Sequence, residues 1–109
     1  MSAAGLALKG LTVRRRVVAA VAAATARSTP GVERVGRGGP RLLAWLAGGP
    51  VEARFVDGRV RLRLWLVVAA SHPIAGVSAR VRAAIRAAVE QQLGLALDEV
   101  TVLVDGVGA

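Results

Sequence analysis

LALDEVTVLVDGV, residues 95–107, follows directly on Gly94 and on a 19-residue helical pattern, Ala75 to Leu93. Reading this stretch decides the fold. Glycine just past a helix is the usual left-handed C′ residue, and the alternation over Val100 to Val104 is that of a strand. Within the helix, Val77, Val81, Ala84, Ile85 and Ala88 recur at helical spacing and face inward, while Ser78, Arg82, Arg86 and Glu90 form a solvated stripe. A strand, a helix and a second strand in sequence predict a parallel pair joined by a crossover.

The strand before that helix belongs to a hairpin. Val51 to Val56 and Arg59 to Ala70 flank Asp57-Gly58, a two-residue turn signal. The turn sets the register: Val56 faces Arg59, Phe55 faces Val60, Arg54 faces Arg61, Ala53 faces Leu62 and Glu52 faces Arg63. One face is then Val51, Ala53, Phe55, Val60, Leu62 and Leu64, a core face. The other carries Arg54, Arg59, Arg61 and Arg63 with Glu52. Past Leu64 both faces turn apolar through Trp65, Leu66, Val67 and Val68, so this end needs cover on both sides or a partner.

Further upstream, Val32 to Val35 is a short strand and Gly36 to Pro40 a loop. Arg41 to Ala47 fits either a short helix or an irregular strand. Thr12 to Arg27 reads as helix one, with Val13, Val17, Ala20, Val21 and Ala24 inward. Arg14, Arg15 and Arg16 then fall in its first turn, where the helix dipole prefers acids. Met1 to Gly10 is expected to be a flexible N-terminus. The fold class is α+β: order α-β-β-β-α-β, one mixed sheet with two helices packed on one face. Residues 11–109 make a single domain.

Composition bounds the chemistry. The chain has 109 residues, the size of one domain. Hydrophobic residues make up 54% and aromatics 3%, so the core is built from Val, Leu and Ala. The absence of cysteine excludes disulfides, thiolate zinc sites and thiol catalysis. Net charge is +8, and fourteen of fifteen basic residues are Arg. That balance suits anionic partners, although a GC-rich coding sequence yields the same composition. No apolar run reaches the ~20 residues that span a bilayer. Arg14-Arg15-Arg16, the run Val17 to Ala24 and then Ala24-Thr25-Ala26 imitate a signal peptide. An Ala-rich amphipathic helix is preferred, because cleavage would strip the strands of their cover.

No catalytic constellation stands out. His72 is the only histidine, and no acid lies near it in sequence. A metal site needs more ligands than that, and the adjacency of Ser71 and His72 makes no dyad without an orienting acid. The seven acids show no paired arrangement; Asp57 serves the turn, and Asp98-Glu99 reads as a solvated loop. Gly36-Arg37-Gly38-Gly39 lacks the Gly-Lys-Ser/Thr of a phosphate loop. No metal and no cofactor are expected. The candidate site is the arginine row: Arg59, Arg61 and Arg63 at period two, Arg54 across from them, and Trp65 and Val67 continuing the line. Like charges this close favour an anionic ligand or partner; the alternative is a solvated face. Trp45 is a candidate interfacial anchor or a core residue.

The chain resembles the alkaline-shock, envelope-stress-response family of small bacterial proteins. Gly10-Leu11-Thr12-Val13, Val17 to Ala22, Pro30-Gly31-Val32, the strand Val60 to Val68, the helix Val77 to Leu93, Gly94-Leu95 and Val100 to Val107 carry the resemblance, in that order. It implies a non-enzymatic cytoplasmic protein, peripheral at the inner face of the membrane. A membrane-anchored protein partner would hold it there, as part of a homo-oligomer. No catalytic residues come with the family. The arginine face would add attraction to an anionic lipid surface. The rival reading is a small K-homology-like RNA-binding module. That class grips backbone through a Gly-x-x-Gly loop between two helices, and no such loop joins two helices here; with few aromatics for stacking, nucleic acid is the less favoured partner.

Overall fold

The computed structural model describes residues 3–36 and 49–108. Helix α1 (Ala3–Ser28) is followed by β1 (Val32–Val35), β2 (Val51–Val56), β3 (Arg59–Val68), helix α2 (Ile74–Ala87) and β4 (Leu97–Val107). The expected order and mixed sheet are both present. Strand β3 is the spine: β1 and β2 pair with it antiparallel, and β4 pairs with it in parallel.

The registers show how four strands make a sheet three wide. β2 covers Arg59 to Leu64, and β1 covers Leu66 to Val68. They therefore lie end to end on one edge of β3, with β4 on the other. The handover falls at Trp65, whose N–H donates to Pro50 O at 2.9 Å and whose carbonyl accepts from Gly36 N–H at 2.9 Å. The hairpin pairs residue for residue as the Asp57-Gly58 turn predicts. Both turn residues have positive φ, 52° and 75°, the backbone that a two-residue turn needs to follow the strand twist.

Alternation then builds the core. Val60, Leu62, Leu64, Leu66 and Val68 all point to one face and are buried. Against them pack Val18, Ala22 and Ala26 of α1, and Val77, Val81 and Ile85 of α2. α1 lies on β1 and β2, α2 on β4, and the helices touch each other. Both helices thus cover one face of the sheet, and the opposite face carries no helix among the described residues. Ala26, at the imitation cleavage site, is fully buried.

Several boundaries and faces differ from the sequence reading. α1 begins at Ala3, not Thr12, so the stretch expected to be loose is helical from Ala3 to Gly10. Arg14, Arg15 and Arg16 therefore stand mid-helix, beyond the first turn in which the dipole opposes them. The inward face of α1 is also different. Val18, Ala22, Ala26 and then Thr29 are buried, whereas Val13, Val17, Ala20 and Ala24 are exposed. From Val17 to Ala26 nine of ten positions are Ala or Val, so sequence contrast there could not choose between the two stripes. α2 gives way at Ala87 to a π-helical turn, Ala88–Gln92. The wider turn lets both Ala88 and Val89 face the core. Ser78, expected in the solvated stripe, is buried. β3 stops at Val68 and β4 starts at Leu97, three residues before the expected Val100. The Arg41 to Ala47 reading lies outside the described residues, as does Trp45.

Candidate functional site

The helix-free face of the sheet holds the sequence-predicted arginines. Period two on β3 puts Arg59, Arg61 and Arg63 on this face, all exposed. Cross-strand pairing sets Arg54 opposite Arg61 and Glu52 opposite Arg63. On the other edge, Arg61 pairs with Glu99, Arg63 with Thr101 and Trp65 with Leu103. Glu52, Arg54, Arg61, Arg63, Glu99 and Thr101 line a shallow depression.

The acids change the character of this face. Asp98 and Glu99, read from sequence as a solvated loop, lie in β4. A register shift between Val60 and Arg61 leaves Asp98 as the extra residue of a bulge, and its Oδ2 accepts from Arg61 Nε at 2.8 Å. That hydrogen bond first, and the Asp98 charge second, raise the Arg61 pKa above its ordinary value. The pair is half exposed, so water and salt screen it. Thr101 Oγ1 donates to Glu99 Oε1 at 3.4 Å. Four arginines thus share the face with three carboxylates, and the like-charge repulsion foreseen between Arg54 and Arg61 has an internal counterion. Sequence reading missed Asp98 because a bulge in a pairing 37 residues away leaves no local pattern.

The apolar end of the row is covered. Trp65 is half-buried at the junction of β1 and β2. Val67 is only 5% exposed, so its side chain contributes little to the open face. His72 is exposed, with Nδ1 3.2 Å from the Ala70 carbonyl oxygen. Among the described residues, no group of three or more His, Cys, Asp or Glu could hold a metal ion. No described helix is long and apolar enough to cross a membrane. Among the described residues, three strands separate α1 from α2 in chain order, and no helix–loop–helix turn of the K-homology kind joins these two helices.

A model of the alkaline-shock protein family, described as having a cell envelope-related function, matches residues 6–109. The chain belongs to the alkaline-shock protein family. This is the family whose resemblance runs from Gly10 to Val107. No curated protein matches the chain. Among solved structures, a triple-substituted MamM CTD superposes with a TM-score of 0.61 at 17% identity, covering 84% of this chain and 93% of that one. The copper form of the MamM CTD gives 0.60 at 15%, covering 84% of each. At such identities the likeness is one of fold alone. The Pro30-Gly31-Val32 stretch, which carries part of the resemblance, has a structural role in this chain. Gly31 has φ +94° and sits against Val77 and His72, and its carbonyl accepts from Ala69 N–H at 2.8 Å. The motif therefore anchors the α1–β1 turn to the start of α2.

Proposed function

We propose that this alkaline-shock-family chain is a non-enzymatic scaffold, peripheral at the cytoplasmic face of the cell membrane and working through protein–protein contacts. A membrane-anchored protein partner holds it there, and it acts as a homo-oligomer. The working unit is one domain over residues 11–109. The observation that carries this reading is the envelope-related family match over residues 6–109.

The sheet face is the contact surface of this proposal. Arg54, Arg59 and Arg63 supply charge around the Arg61–Asp98 pair, and Trp65 supplies a half-buried aromatic edge. Val67 continues the row at its buried end. A mixed-charge face of this kind suits a complementary protein surface, where matched charges set register and specificity.

Fractionation of cells carrying the tagged protein, with and without nuclease, tests the reading. Recovery with membranes regardless of nuclease is the expected result. Sedimentation with ribosomes or RNA, abolished by nuclease, would overturn it and promote the RNA-binding alternative.

A further inference from the structure

The outward face of α1 has a character the sheet face lacks. Gly10, Val13, Val17, Ala20 and Ala24 recur at spacings of three and four residues and are all exposed. At 3.6 residues per turn they form one apolar stripe on the side away from the sheet. Val13 is 58% exposed and Val17 45%, and both border a shallow apolar hollow with Leu93 and Leu95. The helix contains five basic residues and no acid. Among the described residues, Arg14, Arg15 and Arg16 make no ion pair. From Val13 to Val17 five consecutive residues are exposed.

We infer that this segment of α1 docks directly on an anionic lipid surface, the Val13–Val17 stripe at the headgroup boundary and the flanking Arg14 and Arg16 among the phosphates. Charge complementarity selects the occupant. A second copy would bring arginines against arginines, with no carboxylate on either helix to relieve them. Arg14 and Arg16 fall about 80° to either side of the stripe, where long basic side chains reach the headgroups beside an interfacial helix, and Arg15 lies on the opposite side. The sheet face is the weaker lipid site, because Glu52, Asp98 and Glu99 offset its arginines. The inference goes beyond the scaffold reading and shares only its location: it needs no anchored protein.

Purified full-length chain, sedimented with vesicles of phosphatidylglycerol and phosphatidylcholine in equal parts or of phosphatidylcholine alone, decides the matter. Binding to the anionic vesicles only, lost at high salt, is expected. Each basic residue near such a surface is worth about fivefold in partitioning, so the loss of Arg14 and Arg16 in Arg14→Gln/Arg15→Gln/Arg16→Gln should lower it by roughly twenty-five-fold or more. Val13→Asn/Val17→Asn, at exposed positions, should weaken binding with an unchanged circular dichroism spectrum. Arg59→Gln/Arg63→Gln on the sheet should change it far less than the triple variant. Failure of the wild type to bind anionic vesicles, or a triple variant that binds as well as wild type, overturns the inference. So does a wild-type dimer that Val13→Asn/Val17→Asn dissociates with no vesicle binding. A protein that ignores vesicles yet fractionates with cell membranes would leave the anchored-partner reading standing alone.

Discussion

Replacing Gly31 by alanine tests whether the Pro30-Gly31-Val32 turn is held by packing. Two costs add. The backbone there has φ +94°, and a left-handed conformation costs an L-residue about 1–2 kcal/mol. The new Cβ would also stand 2.5 Å from Val77 Cγ2 and 3.2 Å from His72 Cδ2. Val77 is fully buried and, being β-branched, has little freedom to turn away, so overpacking adds roughly 1–3 kcal/mol. Restricting the unfolded chain returns about 0.4–1 kcal/mol. The net loss is therefore about 2–4 kcal/mol out of a typical total of ~5–15. Gly94→Ala is the control: its φ is +66° with nothing within 4 Å of the added carbon, so only the strain of about 1–2 kcal/mol applies, less the same unfolded-chain return. Urea unfolding followed by circular dichroism should place the midpoint of Gly31→Ala well below that of Gly94→Ala. In a Val77→Ala background the extra penalty should vanish, a coupling that a double-mutant cycle reads directly. Equal midpoints for the two glycine variants, or an undiminished penalty in the Val77→Ala background, would refute the packing argument.

Other expectations follow from the two faces. Asp98→Asn removes the counterion of Arg61 without touching the core, so the variant should elute from a polyanion column at higher salt; unchanged elution would mean that Asp98 does not offset the sheet arginines. Ile85 is fully buried and Ile74 is 46% exposed, so Ile85→Ala should cost about 2–5 kcal/mol of unfolding free energy and Ile74→Ala well under half of that. Comparable losses at both positions would contradict the assignment of the core face of α2.

The hairpin and the parallel strand were legible because their determinants are local. Asp57-Gly58 admits one tight turn, period-two alternation then assigns every side chain of β2 and β3 to a face, and Gly94 marks the end of the helical region. These features, with the family resemblance, were determined by sequence alone. Other features depend on partners distant in the chain. From Val17 to Ala26 α1 is nearly uniform in Ala and Val, so only the sheet beneath it selects Val18, Ala22 and Ala26 for burial and leaves Val17, Ala20 and Ala24 outside. Asp98 reaches Arg61 through a bulge in a parallel ladder, a pairing set by how the crossover helix packs. The charge balance of the sheet face and the exposed stripe of α1 were thus decided by tertiary structure, because each depends on which of two locally equivalent arrangements buries more apolar surface.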